Sequence, residues 1–146
     1  MRKRSFALAV ALLLLASAAL AQDYPSALKT AKRENKPLLL YFYSNSCYYC
    51  TVMDGKTLAD KEITAMLKKD FVFLRVDADK PGEVGRLYHI AGTPSSWFLE
   101  SSGKPVGEIP GYIPAKDYKL ILEYIKGKRY NDTDLETYLK KASAKK

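Results

Sequence analysis

Apolar residues in this chain alternate between short continuous runs and helical stripes. The first run, Phe6 to Leu15, follows Arg2-Lys3-Arg4 and leads to Ala19-Leu20-Ala21. From Pro25 to Asn35, Ala27, Leu28 and Ala31 share one stripe with charges opposite, which predicts a short helix. Leu38-Leu39-Leu40-Tyr41-Phe42-Tyr43 is too short for most helices and is bounded by Pro37 and by Ser44-Asn45-Ser46. That pattern predicts a buried central strand. A helix is expected from Cys47 past Met53, and a second over Asp60 to Lys69. Phe71 to Val76 is the next predicted strand. Asp77-Ala78-Asp79-Lys80-Pro81-Gly82 turns out of it, and Glu83 to His89 forms a short helix. Ser95 to Glu100 and Val106 to Ile109 predict a hairpin closed by Ser101-Ser102-Gly103-Lys104. Pro114 to Lys126 is amphipathic through Tyr118, Ile121, Leu122 and Ile125. Thr133-Asp134-Leu135-Glu136 has the spacing of a capping box that opens a last short helix. Helices crossing over between early strands, then a late hairpin, predict an α/β mixed sheet with helices on both faces.

The N-terminal run changes the picture of where the chain works. A basic start, an apolar stretch and an A-x-A site before Gln22 make residues 1–21 a signal peptide. The uncharged stretch to Ala21 falls short of the ~20 residues a membrane-spanning helix needs. The mature protein is therefore expected to start near Gln22, to be soluble, and to be periplasmic or secreted. Residues 22–127 suffice for one domain with a single core, and 128–146 hold the last helix and a basic tail. The net charge of +8 suggests nucleic acid until it is located. The excess lies in Arg2-Lys3-Arg4 and in the lysine-rich stretch after Lys126, not on a binding face. No nucleic-acid motif accompanies it, and the tail reads as solubilising.

The candidate chemistry lies in the only two cysteines, Cys47 and Cys50, separated by Tyr48-Tyr49. Closing so short a loop removes little entropy from the unfolded chain, so a structural staple is a poor use of the pair. Export places the thiols where disulfides persist. At the start of a helix, backbone amides also favour a thiolate at the first sulfur. The motif reads as redox chemistry, with Cys47 attacking and Cys50 resolving. A Cu(I) or other metal-binding module is the main alternative. Zinc wants four ligands, however, and the chain offers one histidine, His89, in a helix-to-turn segment. A static structural disulfide is the other. Asp77 and Asp79 look like a metal pair but more simply end a strand. The reading calls for no metal and no cofactor. Tyr41, Tyr43 and Trp97 read as packing residues, whereas Tyr48 and Tyr49 are candidates for partner contact.

The aromatic strand, polar step and C-x-x-C at Leu38 to Cys50 resemble the thioredoxin fold. So do Arg75-Val76-Asp77-Ala78-Asp79, followed by Tyr88-His89-Ile90-Ala91-Gly92-Thr93-Pro94, and the hairpin leading into Ile109-Pro110-Gly111-Tyr112. More narrowly, the chain resembles exported thioredoxin-like proteins of the SoxW type, over about Asn35 to Tyr138. The resemblance implies a thioredoxin fold with an extra short C-terminal helix and a thiol–disulfide oxidoreductase with Cys47 and Cys50 as its catalytic pair. It also implies a cis-proline at Pro94 that keeps a backbone edge open to substrate, with Thr93 facing the sulfurs. Two departures from thioredoxin stand out. Ser46 replaces the tryptophan before the first cysteine. Tyr41 replaces the buried acid, and on this reading Phe73 replaces that acid's lysine partner, so the charged pair is absent.

The Tyr48-Tyr49 dipeptide carries no histidine or charge to stabilise a reduced thiolate strongly, which favours reduction of partner disulfides over oxidation or isomerisation. The implied partners are disulfide-containing exported proteins and a membrane electron donor that recharges the pair. The expected state is a monomer.

Overall fold

The computed structural model describes residues 23–80 and 82–144. The expected signal peptide and its cleavage site lie outside these residues. Among the described residues, six helices and four strands follow in the order α1 (Tyr24–Glu34), β1 (Leu38–Tyr43), α2 (Tyr48–Met53), α3 (Lys61–Asp70), β2 (Val72–Asp77), α4 (Gly82–Tyr88), β3 (Ser95–Leu99), β4 (Pro105–Pro110), α5 (Ala115–Lys126) and α6 (Leu135–Ser143). A π-helical turn, Asp54–Leu58, continues α2, and a 3₁₀ turn, Arg129–Asn131, follows α5.

Local chemistry sets the element ends. Asp23 caps α1 by accepting from the Ser26 N–H at 2.8 Å, and Pro25 sits in the first turn, where its missing N–H costs nothing. Asn35 ends the helix in the left-handed conformation and returns its N–H to Ala31. Asp60 caps α3 through the Glu62 and Ile63 amides. At α6 the cap is Asp134, whose carboxylate accepts from the Thr137 N–H at 2.8 Å. The expected capping box beginning at Thr133 is thus displaced by one residue, because the adjacent aspartate is the stronger acceptor.

The sheet order is β2-β1-β3-β4, with β1 parallel to β2 and antiparallel to β3, and β3 antiparallel to β4. Central placement explains why β1 is almost continuously apolar: both its faces are covered. Leu38, Leu40 and Phe42 pack with Val72, Leu74 and Leu99 beneath Ala27 and Ala31 of α1. Leu39 and Tyr41 face the other way, with Phe98, against Met53, Ile63, Leu67 and the buried face of α5. Tyr124 donates to the Thr133 carbonyl at 2.8 Å, and its ring lies 5.2 Å from that of Tyr138, which seats α6 beside α5. The result is the expected thioredoxin fold with added C-terminal helices. No helix among the described residues is long and apolar enough to cross a membrane.

Candidate active site

Strand β1 delivers the site. Tyr43 ends it, Ser44-Asn45-Ser46 makes the polar step, and Cys47 is the N-cap of α2. The two cysteines are disulfide-bonded with Cα atoms 5.2 Å apart. Their surroundings differ. Cys47 is half-buried, whereas Cys50 is 2% exposed, inside the first turn of α2. The Cys50 N–H donates to Cys47 Sγ at 3.1 Å, so the helix start aims a donor at the outer sulfur. The Thr93 carbonyl oxygen lies 3.4 Å from the same sulfur.

Thr93 enters through the loop between α4 and β3. The Thr93–Pro94 peptide bond is cis, and the Pro94 carbonyl accepts from the Gly111 N–H at 2.7 Å. Gly111 takes a positive φ of 87°, a conformation that a side chain would strain, and this joins the end of β4 to the proline loop. The fold therefore brings Cys47 and Cys50 at the start of α2 together with Thr93 and Pro94 of the loop before β3.

Tyr48 and Tyr49 are 75% and 59% exposed, the largest apolar exposures near the disulfide. They meet edge to face at 5.4 Å, and Tyr49 stacks on Tyr112 at 6.5 Å. Tyr112, which enters the sequence reading only as the end of the Ile109-Pro110-Gly111-Tyr112 motif, thus joins the aromatic surface beside the disulfide. A concavity of about 420 Å³ lies between Ser44 and Thr93, lined also by Asp79, Gly85, Ile90 and Gly92. Asp77 ends β2 and Asp79 lies in the turn after it, hydrogen-bonded to the Ser44–Asn45 step. His89 is exposed at the end of α4.

One expectation needs correction. The β1–β2 register pairs Tyr41 with Arg75, and Phe73 with Leu39. The position facing Tyr41 is therefore cationic. The Arg75 guanidinium lies 5.1 Å from the Tyr41 ring centre and 4.5 Å from that of Tyr43. It forms a two-pronged ion pair with Asp54, at 2.8 and 2.9 Å. The buried carboxylate is absent, but an acid–base pair persists, with its acid supplied one helical turn after Cys50. Burial pushes the Tyr41 hydroxyl well above the usual tyrosine range, and Asp54 adds to this electrostatically. Asp54 makes no well-formed hydrogen bond to that hydroxyl, which has no partner among the described residues.

Comparison with known proteins agrees with this geometry. A family model described as a thioredoxin-like domain matches residues 24–126. The chain is 33% identical over 89 residues to thioredoxin from Mycoplasmoides gallisepticum, covering 61% of this chain and 84% of that protein. It is 30% identical over 99 residues to thiol:disulfide interchange protein TxlA from Synechococcus elongatus, covering 65% of this chain but 51% of that protein. Some relatives are far longer: the chain spans 7% of human spermatogenesis-associated protein 20, over a 58-residue match at 33% identity and 40% of this chain. Among solved structures, a thioredoxin from Thermus thermophilus superposes with a TM-score of 0.63 at 30% identity, covering 70% of this chain and 82% of that one. The C-terminal domain of DsbD from Neisseria meningitidis gives 0.56 at 26% identity, covering 69% and 92%. The family match runs from the first residue of α1 to the last residue of α5 and takes in both cysteines and the proline loop. This chain belongs to the thioredoxin-like domain family, as a thiol–disulfide oxidoreductase with a C-x-x-C pair at Cys47 and Cys50.

Proposed function

We propose that the protein is exported and there reduces disulfides in other exported proteins, with Cys47 as the attacking sulfur and Cys50 as the resolving one. The observation that carries this reading is the asymmetry of the pair. Cys47 is half-buried and accepts a backbone N–H, and Cys50 is covered. Only one sulfur is open to a protein-sized partner.

In the dithiol state the Cys47 thiolate attacks one sulfur of a partner disulfide. The partner's S–S bond breaks, its second sulfur leaves and takes up a proton, and a mixed disulfide forms. Cys50 then gives up its proton and attacks Cys47 Sγ. The partner departs with two thiols, and the Cys47–Cys50 disulfide holds the oxidising equivalents. Tyr48 and Tyr49 offer exposed aromatic surface to the segment carrying the target cystine. The loop at Thr93 and Pro94 flanks the attacking sulfur.

The basic and apolar N-terminal pattern of residues 1–21 supports export. Away from cytosolic reductants, the oxidised pair must be recharged by a dithiol on a membrane protein. The likeness to the DsbD C-terminal domain supports a place in such an interchange chain. Within this family the SoxW type remains the expected branch, on the motifs given above.

Equilibrating the Cys47–Cys50 pair with glutathione and dithiothreitol, then trapping by alkylation, tests the direction. A potential near the ~−270 mV of thioredoxin is expected for a reductant. A value above about −180 mV would make the protein an oxidant or isomerase instead.

A further inference from the structure

The loop before Cys47 is tied to the turn after β2 by one carboxylate. Asp79 Oδ1 accepts from the Ser44 hydroxyl at 2.7 Å, and Oδ2 accepts from the Asn45 N–H at 2.9 Å. The Asn45 side-chain amide approaches the same oxygen at 3.5 Å. Asp79 is itself held in place. Its N–H donates to Asp77 Oδ1 at 2.9 Å, and the neighbouring Ala78 N–H donates to the Tyr43 carbonyl at 2.7 Å. From Ser44 the contacts run on to the cysteine. Its hydroxyl accepts from the Ser46 N–H at 3.3 Å, and its carbonyl accepts from the Cys47 N–H at 3.2 Å.

These groups are largely exposed, where water competes for every bond. An isolated hydrogen bond there would order little, whereas several converging on one ionised acceptor order a loop. The bond from the Ser44 hydroxyl, then that from the Asn45 N–H, holds the Asp79 carboxyl below the usual carboxylate range. Lys80 adds to this, and Asp77 is the other acid in contact. The acceptor therefore stays ionised wherever thiols exchange.

We propose that Asp79 is a positioning residue for Cys47: its carboxylate clasps the Ser44–Asn45 step and thereby keeps the Cys47 sulfur on the Cys50 N–H and beside the Thr93 carbonyl. The inference rests on the oxidoreductase reading for its effect on turnover, but the clasp can be tested on the thiol alone. Without the clasp, the polar step loosens, the cap contact at Cys47 weakens, and its thiolate loses the donor that stabilises it.

The test is alkylation of Cys47 by iodoacetamide across pH, in the reduced protein, for wild type and for D79N, D79A and S44A. Thermal unfolding of the oxidised forms is recorded alongside. D79N and D79A both lack the carboxylate charge, but only asparagine keeps an oxygen acceptor. Asparagine offers one acceptor oxygen where the carboxylate offers two, so the difference between D79N and D79A reports the bond that this oxygen still accepts. D79A is expected to react several-fold more slowly than D79N below the thiol's midpoint. Up to about tenfold corresponds to one unit in that midpoint. S44A, which loses the hydroxyl's bond to Asp79 and its contacts with Ser46 but keeps the Asn45 N–H on the carboxylate, should fall between wild type and D79A, with all midpoints of unfolding alike. Coincident profiles for D79A and D79N, or a deficit that tracks lost thermal stability, overturn the proposal. Should D79A fail to fold, an unchanged profile in S44A overturns it equally. A wild-type protein that reduces no disulfide would remove the parent reading and leave this alkylation comparison standing.

Discussion

The two faces of β1 are built to different rules. On one, Leu38, Leu40 and Phe42 meet α1 and α4 in a cluster made almost entirely of hydrocarbon and aromatic carbon. Its few polar atoms include the Tyr24 and Tyr88 hydroxyls, which meet at 2.7 Å, and the Trp97 indole N–H, buried without a partner among the described residues. On the other, Leu39, Tyr41 and Tyr43 meet α2, α3 and α5, and polar groups run through the packing. The buried Thr57 hydroxyl donates to the Ile113 carbonyl at 2.6 Å, Ser96 and Tyr118 hydroxyls meet at 3.1 Å, and Asp54 pairs with Arg75. The second face carries α2, and therefore the cysteines. Hydrocarbon on one side fixes the strand; polar anchors on the other fix where its end points. Both faces bury apolar side chains, and the polar anchors that orient the site lie mainly on the second.

Truncation on each face sharpens that contrast. Leu40 is fully buried on the dry face, so Leu40→Ala should cost about 2–5 kcal/mol in urea unfolding. Its effect on the Cys47–Cys50 redox equilibrium should be nil. Tyr41→Phe on the opposite face removes a buried hydroxyl that has no hydrogen-bond partner among the described residues, so stability should stay level or rise slightly. A loss for Tyr41→Phe comparable with that of Leu40→Ala would mean the hydroxyl is held by a buried water, and the contrast between the faces would fail.

Alkali should act next, through Tyr118 and Tyr41 on the polar face and also through Tyr88 on the other. Burial is the largest influence on Tyr118 and Tyr41, and it raises both hydroxyls above the usual tyrosine range. The sign follows: the unfolded chain ionises first, near pH ~10, so these groups cost nothing below that point. Above it, stability falls as pH rises towards the folded values. The slope is at most about 1.4 kcal/mol per pH unit for each tyrosine that stays neutral in the fold. Unfolding free energies on either side of that pH, for wild type and Tyr118→Phe, check it. The variant should fall less steeply by one tyrosine's share; equal slopes would show that Tyr118 ionises in the native state.

How much of this the sequence discloses depends on the range of the interaction that decides each feature. Leu38–Tyr43 is legible because a short apolar run between Pro37 and a Ser-Asn-Ser step leaves one reading. Cys47 at a helix start is legible for the same local reason. The cap of α6 is missed by one residue because Thr133 and Asp134 are adjacent candidates of similar type. The π turn at Asp54–Leu58 has no local signature in the sequence, and its Thr57 hydroxyl finds its acceptor, the Ile113 carbonyl, far along the chain. Arg75 and Asp79 fall furthest out of reach. Whether Phe73 or Arg75 faces Tyr41 depends on the offset between two parallel strands joined by a crossover, which alternation alone does not fix. The acceptor role of Asp79 depends on partners some 35 positions away.

The smallest effect lies in the pair that the register exposed. Asp54 and Arg75 side chains are each 39% exposed, so solvent screens their attraction. Asp54→Asn should cost about 0.2–1 kcal/mol, and the cost should fade in high salt. Arg75→Ala removes more, because the guanidinium also covers the rings of Tyr41 and Tyr43. That contact contributes on the order of 0.5–1 kcal/mol and the packing of the side-chain stem adds to it, and neither is screened to the same extent. Urea unfolding of both variants at low and high salt separates the parts. Arg75→Ala should keep most of its deficit in high salt, while Asp54→Asn loses most of its own. If both deficits vanish together, Arg75 acts only as a charge, and its position over the tyrosines contributes nothing to holding the polar face.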